Sequence, residues 1–334
     1  MKKGFVIGKG FIMRFRSAFC AIMVAMALAV VQSKSFCQSE AAPTGDQHRQ
    51  YYFAAAGRSI PYRLYVPTQY DGSQLHPLIV LLHGSGGDEN DVFDTTDSRK
   101  LAEARGAILV APLGYNPYGG YGDIYPVVGS HEMAAAAESI GAASKSDKVP
   151  AVAIKGTKGD KAPLTPVPIA ADYDEIPAGL LVDPHTAQLS EQDVMNVVGI
   201  VRKQYRIDPT RIYLAGNSMG GVGTLYLAVR YPEVWAAVAP AGGPIAAWSY
   251  PFERLRDFHV PVRFIHGKLD EHANVHWSQV LFERAQAAGV EADLSEPPTG
   301  EHAYAWTLVL PETFDWLLRH QKPSIPDAQA QGNR

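Results

Sequence analysis

Short runs of consecutive apolar residues recur along the chain, each bounded by Pro, Gly or polar residues. Runs of this length without alternation predict strands buried on both faces, as in a parallel sheet. Five runs share the pattern: HPLIVLLHG at 76–84, GAILVAP at 106–112, RIYLAG at 211–216, WAAVAP at 235–240 and VPVRFIHG at 260–267. Before them, YYFAAAGRSIPYRLYVP predicts two strands around a Gly57-Arg58 turn.

Apolar residues at helical spacing separate these runs. The segment SEQDVMNVVGIVRKQY predicts a helix with Ser190 as its N-cap, and HWSQVLFERAQAAG predicts one that ends at Gly289. MGGVGTLYLAVRY and LPETFDWLLRH predict two more. Strands that alternate with helices predict an α/β fold with a mostly parallel central sheet and helices on both faces. We expect one domain over residues 50–322, followed by a disordered tail at 323–334.

Residues 114–188 interrupt this alternation, because they contain no convincing strand–helix unit. An internal loop of this length is either functional or disordered. We interpret it as an insertion after an early strand, which lies over the carboxyl edge of the sheet as a partial lid. A surface excursion is the alternative for its middle, residues 140–168.

The N-terminus has a different pattern. Five Lys and Arg residues precede the apolar run AFCAIMVAMALAVV at 18–31. This order predicts a signal peptide over residues 1–37, with the mature chain secreted or periplasmic and flexible over 38–49. The alternatives are a membrane anchor, for which the run is short, and a lipid-modified Cys37. Cleavage before Gln38 would remove both Cys20 and Cys37, so the mature chain would have no disulfide.

The overall charge narrows the range of partners. The 334 residues carry 30 Lys and Arg against 34 Asp and Glu, a net charge of −4. Nothing in this balance suggests a nucleic-acid partner or a stable membrane partner. The oligomeric state cannot be predicted from the sequence.

The segment AGNSMGG at 215–221 places Ser218 between a predicted strand and a predicted helix. G-x-S-x-G in this context predicts a nucleophile elbow, in which a sharp turn exposes the serine hydroxyl. Residues two before and two after the serine must be small, which explains Gly216 and Gly220. A tight turn with an incidental serine is the alternative.

A serine nucleophile needs a base and a group that orients the base. Asp270 follows the strand VRFI, and His302 stands in a later loop. Their order predicts a Ser218–Asp270–His302 triad, with Glu271 as a lesser candidate for the acid. For the oxyanion hole we predict the backbone N–H groups of Met219 and Ser85.

Other residues are candidates for substrate contacts. Gly84 and Gly86 leave room for a close approach of the backbone to a substrate, and Gly86 is the nearest rival of Ser85 as an oxyanion donor. Three tyrosines in the loop GYNPYGGYGD could line a pocket or could pack the insertion onto the body: Tyr115, Tyr118 and Tyr121. Trp248 and Trp306 are candidates for the opposite wall.

We predict no metal and no cofactor. His272 and His276 are four residues apart, but no Glu completes an H-E-x-x-H motif. The glycine patterns typical of nucleotide sites do not occur at a strand-to-helix step.

These motifs resemble the α/β-hydrolase superfamily and, more closely, secreted esterases of the polyhydroxybutyrate depolymerase and feruloyl esterase group. The resemblance is carried by residues 60–91, 205–243, 260–270 and 301–306, and the insertion at 114–188 departs from it. It implies an esterase whose nucleophile, acid and base are Ser218, Asp270 and His302, acting on a small-molecule or polymeric ester. A peptidase of the prolyl-oligopeptidase type and a non-catalytic binding protein are the alternatives.

Overall fold

The computed structural model describes residue 1 and residues 42–122, 182–243 and 250–323. The predicted signal peptide, the predicted tail beyond residue 323 and Trp248 lie outside the described residues. So does the insertion between residues 122 and 182. No helix within the described ranges is long and apolar enough to cross a membrane.

Eight strands form one sheet with the order β1-β2-β4-β3-β5-β6-β7-β8. Their bounds are Gly45–Phe53 (β1), Arg58–Val66 (β2), His76–Leu82 (β3), Ile108–Pro112 (β4), Ile207–Asn217 (β5), Ala237–Ala241 (β6), Val262–Ile265 (β7) and Ala292–Ser295 (β8). From β4 through β3 and β5 to β8, each strand is parallel to the next one in the sheet. The pairs β1–β2 and β2–β4 are antiparallel. The predicted mostly parallel α/β fold is therefore confirmed.

The apolar runs become the centre of this sheet. All residues of β4 and β6 are buried, as are all residues of β3 except His76. Continuous burial on both faces is the arrangement that explains runs without alternation. The carboxyl ends of these parallel strands meet at one edge, which is where ligands bind in open α/β sheets.

The edge hairpin begins earlier than the sequence predicted. Residues 45–49, expected to be flexible, belong to β1, where intermediate and exposed positions alternate. Arg49 fixes this strand by hydrogen bonds to Gln204, at 2.7 Å, and to the Tyr205 hydroxyl, at 2.9 Å. A polar strand can form here because its partner β2 supplies the ladder and one face remains in water.

Eight α-helices lie in the described ranges. Their bounds are Asp91–Thr95 (α1), Ser98–Arg105 (α2), Pro184–Gln204 (α3), Met219–Arg230 (α4), Phe252–Asp257 (α5), Val275–Ala287 (α6), Tyr304–Leu308 (α7) and Leu310–Arg319 (α8). The prediction that Ser190 is the N-cap of α3 is wrong. Asp183 is the cap, and its side chain accepts from the Thr186 N–H, with Pro184 in the first turn.

Candidate active site

Ser218 lies at the turn between β5 and α4, with φ 57° and ψ −121°. This left-handed φ is uncommon for a residue with a side chain. The Ser218 N–H donates to the Ala241 carbonyl at 2.8 Å, which ties the turn to the end of β6. A Cβ at Gly220 would lie 2.4 Å from the Leu82 carbonyl oxygen, so only glycine fits there without a shift of the backbone.

The structure brings Ser218, His302 and Asp270 together. The His302 Nε2 lies 2.8 Å from the Ser218 Oγ, and the His302 Nδ1 lies 2.8 Å from the Asp270 Oδ2. The side chain of Asp270 is fully buried, and that of His302 is 19% exposed. A hydroxyl, an imidazole and a carboxylate in this order form a chain that can remove the hydroxyl proton.

Asp270 rather than Glu271 contacts His302, and its surroundings keep it ionised. Burial by itself raises the pKa of a carboxyl, but hydrogen bonds from His266, His302 and the Ala273 backbone outweigh burial and hold the pKa of Asp270 well below its ordinary value. Its Oδ1 accepts from two backbone N–H groups, those of His272 at 2.9 Å and Ala273 at 2.8 Å. The carboxylate is therefore charged at every pH at which the imidazole could act as a base.

His266 is a neighbour of the site that the sequence interpretation missed. Its Nε2 lies 3.1 Å from the Asp270 Oδ2, and its Nδ1 lies 2.7 Å from the Ser278 Oγ. The signal was present, because His266 is the first residue after β7 and precedes Asp270 by four positions. It was treated as part of the apolar run VPVRFIHG.

The loop after β3 passes beside the serine. A Cβ at Gly84 would lie 3.5 Å from the Ser218 Cβ. Among the loop amides, that of Gly86 donates to the Pro117 carbonyl at 2.9 Å and that of Gly87 to the Gly84 carbonyl at 3.1 Å. The N–H of Ser85 has no backbone acceptor within the described ranges, so it is better suited than that of Gly86 to receive a substrate oxygen.

Met219 is the first residue of α4. The N–H groups of a first helical turn have no partner inside the helix. They also lie at the positive end of the helix dipole, which favours negative charge nearby. No backbone acceptor for the Met219 N–H is found in the described part of the chain.

His83, buried at the end of β3, fixes this loop. Its Nδ1 lies 2.7 Å from the Gly84 carbonyl oxygen, and its Nε2 lies 2.8 Å from that of Leu113. The His83 carbonyl accepts from the Tyr121 hydroxyl at 3.2 Å. His83 therefore connects the loop beside Ser218 to the segment that follows β4.

The three candidate tyrosines occupy three different environments. Tyr121 is fully buried and packs edge-on against His83, so it supports the loop and offers no surface to a substrate. The Arg58 Cζ lies 4.8 Å from the centre of the Tyr115 ring. Tyr115 also packs against a small buried cluster that consists of Phe53, Ile60, Leu113 and Leu189. Tyr118 is 61% exposed, and its hydroxyl would lie 3.3 Å from a Cβ at Gly86. Only Tyr118 keeps the placement that a substrate contact needs.

The remaining candidates are Trp306 and the two histidines of the HANVH segment. Trp306 is 4% exposed and belongs to the main core cluster, so it does not form a pocket wall. The His272 ring meets the His302 ring edge-on at 5.3 Å, whereas the His276 Nδ1 contacts Gln279 at 3.0 Å. Within the described ranges, no three His, Cys, Asp or Glu residues are grouped to hold a metal ion.

Asp193, in the buried face of α3, was also missed. Its Oδ2 accepts from the N–H groups of Gly114 at 2.8 Å and Tyr115 at 2.9 Å, and its Oδ1 accepts from the Tyr51 hydroxyl at 2.6 Å. Burial raises the pKa of this carboxyl above its ordinary value. The residue fixes the start of the loop that carries Tyr118.

Solved structures share this architecture. The fluorophosphonate-binding serine hydrolase FphF of Staphylococcus aureus superposes with a TM-score of 0.55 at 13% identity, over 83% of this chain and 99% of that one. The chain has the α/β-hydrolase fold. A ferulic acid esterase matches this chain with a TM-score of 0.53 at 13% identity, over 82% of this chain and 98% of that one. At such identities the likeness shows the fold.

Sequence relatives match shorter parts of this chain. Residues 185–249 match the family model described as esterase PHB depolymerase. The bifunctional acetylxylan esterase/xylanase XynS20E of Neocallimastix patriciarum is 34% identical over 25% of this chain and 12% of its own length. The poly(3-hydroxyoctanoate) depolymerase of Pseudomonas fluorescens is 30% identical over 34% of this chain and 42% of its own. The chain thus spans less than half of each of these relatives.

Proposed function

We propose that the protein is a serine hydrolase that cleaves carboxylic esters through an acyl-enzyme intermediate. The observation that carries the proposal is the hydrogen-bonded chain from the Ser218 Oγ through His302 to Asp270, with 2.8 Å at both steps. The family model and the esterases named among the relatives agree with it.

His302 acts as the general base in this proposal. Its Nε2 takes the proton from Ser218 as the Oγ attacks the ester carbonyl, and the ionised Asp270 stabilises the resulting imidazolium. His302 then returns the proton to the leaving alcohol, which departs and leaves an acyl group on Ser218. Water, deprotonated by the same imidazole, attacks the acyl group and releases the acid.

The N–H groups of Met219 and Ser85 receive the negative oxygen that forms in each attack. Both are free of backbone partners in the described ranges, and the strained turn at Ser218 lies beside both. Preorganised donors of this kind each lower the barrier by about 3 kcal/mol. They cost no reorganisation at the moment of reaction.

The test compares an ester with an amide of the same acyl group. Purified mature protein should hydrolyse an aryl acetate and release no amine from the matched anilide, and Ser218→Ala should lower kcat on the ester by several orders of magnitude. An active Ser218→Ala protein with the same substrate range would rule out the proposed site. Release of amine at a rate comparable with that of the ester would favour the peptidase alternative.

We further propose that the protein is exported. The basic and apolar N-terminal segment over residues 1–37 supports this. The exported protein should begin between about Ser33 and Ala42, as intact mass measurement would reveal. A protein that retains Met1 or carries lipid on Cys37 would contradict it.

A further inference from the structure

A second serine–histidine pair lies behind the candidate triad and contacts the same carboxylate. From the surface inward, the side chains follow one another as Ser218, His302, Asp270, His266 and Ser278. The outer pair faces the site. The inner pair is buried, since His266 is 1% exposed and Ser278 is fully buried.

The surroundings of His266 determine which of its ring nitrogens carries a proton. Its Nε2 lies 3.1 Å from the Asp270 Oδ2 and 3.1 Å from the Ala273 carbonyl oxygen. A carbonyl oxygen and an ionised carboxylate can accept hydrogen bonds but cannot donate them, so the Nε2 must be the donor. The Nδ1 faces the Ser278 hydroxyl at 2.7 Å, which can donate to it. His266 therefore directs an Nε2 proton at Asp270.

His266 and His302 both donate to the same carboxylate oxygen of Asp270. The Asp270 Oδ2 receives the N–H of His302 and that of His266, while its Oδ1 receives two backbone N–H groups. Four donors leave the carboxylate no alternative orientation. They also divide the charge of Oδ2 between two rings, so the imidazolium of His302 is stabilised less than by an undivided charge.

We propose that His266 is a positioning residue of the hydrolytic site, which acts through Asp270 to hold the His302 ring in line with Ser218 and to moderate its basicity. This inference rests on the proposed function. Because the inner pair cannot reach a substrate, it contributes to the acyl transfer only through that shared oxygen.

Two substitutions separate this role from packing. The amide nitrogen of Gln lies near the position of the imidazole Nε2, whereas that of Asn lies near the position of the Nδ1. His266→Gln therefore keeps the donor to Asp270, and His266→Asn removes it. We expect His266→Asn to lower kcat about tenfold with KM unchanged, because the base is no longer held in line. His266→Gln should stay within about threefold of the parent kcat.

The pH profile gives a readout that packing alone would not change. Without the His266 donor, Asp270 directs more charge at His302, so the acid limb of kcat/KM should move to higher pH in His266→Asn. His272 is a second titratable group beside the His302 ring, so every profile is measured in a His272→Gln background. An unchanged kcat and acid limb in a folded His266→Asn protein would overturn the proposal. So would equal losses in the Asn and Gln variants.

A measurement on the unaltered protein avoids any folding defect that a substitution could cause. The nitrogen-15 shifts of His266 should show a protonated Nε2 and an unprotonated Nδ1. The opposite tautomer would overturn the proposal even if the protein is an active esterase. Conversely, the expected tautomer in a protein without ester hydrolysis would remove the proposed function and leave the hydrogen-bond assignment intact.

Discussion

At the scale of the residue, the geometry around Ser218 explains the crowding of glycines in AGNSMGG. Ser218 has φ 57°, a conformation that costs about 1–3 kcal/mol at a residue with a side chain. The turn persists because the neighbouring backbones pack without side chains between them. A Cβ at Gly216 would lie 2.6 Å from the Gly220 carbonyl oxygen, and one at Gly221 would lie 2.2 Å from that of Ala241. The sequence predicted this turn because steric demand leaves a local pattern.

Gly220→Ala tests this explanation. Its Cβ would meet the carbonyl oxygens of Leu82 at 2.4 Å and His83 at 2.7 Å, and neither backbone can yield easily. We expect the free energy of unfolding to fall by about 1–3 kcal/mol and ester hydrolysis to fall with it, because the loop beside Ser218 must move. Denaturant unfolding and kcat measure the two effects.

Gly199→Ala is the matched control. Gly199 lies inside α3, and a Cβ there would meet no atom within 4 Å. Alanine should raise the free energy of unfolding by about 0.5–1 kcal/mol, since glycine is a poor helix former. It should leave kcat unchanged. A Gly220→Ala protein as stable and active as the control would contradict the steric account.

At the scale of the element, the segment from Leu113 to Gly122 is held from below by α3. Ser190, which the sequence predicted to cap this helix, is buried within it, and its Oγ accepts from the Tyr121 N–H at 3.0 Å. Asp193 holds the N–H groups of Gly114 and Tyr115 in the same way. These contacts join residues about 70 to 80 positions apart, so no local pattern could have indicated them.

The distance along the chain between the loop and α3 also explains why the sequence could not tell which tyrosines would be buried and which exposed. Tyrosine is suited both to a pocket surface and to a buried position with a hydroxyl partner. Which of the two applies depends on the side of the loop that faces α3, and the sequence of the loop does not contain that information. Tyr121 lies inside and Tyr118 outside.

Tyr118→Ala tests whether this loop contributes to the choice of substrate. Tyr118 is 61% exposed and lies over Gly86, next to the predicted oxyanion donor Ser85. We expect KM for a bulky aromatic ester to rise about fivefold to tenfold, the effect of losing about 1 kcal/mol of ring contact. A small acetate ester should be barely affected, because the chemical groups lie elsewhere.

Tyr52→Ala is the control for the loss of an exposed tyrosine. Tyr52 is 67% exposed and lies on β1, at the far edge of the sheet from the strands that carry the triad. Its replacement should change neither KM. Equal losses on both esters in Tyr118→Ala, together with a lowered Tm, would show that Tyr118 is structural.

At the scale of the whole molecule, the sequence predicted the parallel centre of the sheet and missed parts of its edges. Strands β3, β4 and β6 and the second half of β5 are buried almost throughout, and burial of this kind is visible in the sequence. Strand β8 has four residues, all of intermediate burial, and had no signal of its own. The start of β1 was assigned to a flexible segment because its residues are polar. Edge strands depend on a partner that lies elsewhere in the chain.

The triad residues, like the central strands, could be predicted from the sequence. Ser218, Asp270 and His302 stand in loops that leave parallel strands at one edge, so their order along the chain was enough to group them. His266 and Asp193 act through other residues, and their side-chain types alone did not distinguish them from structural residues. The proposed triad was therefore predictable from the sequence, whereas the residues that position its side chains required the structure.

The central claim is that Ser218 is a nucleophile activated by His302 and Asp270. The most direct measurement is the reaction of the mature protein with a fluorophosphonate, followed by mass spectrometry of its peptides. The account predicts one adduct per chain, located on Ser218, with complete loss of ester hydrolysis and no labelling of Ser218→Ala. Stoichiometric labelling of another residue, or hydrolysis that survives full modification of Ser218, would contradict it.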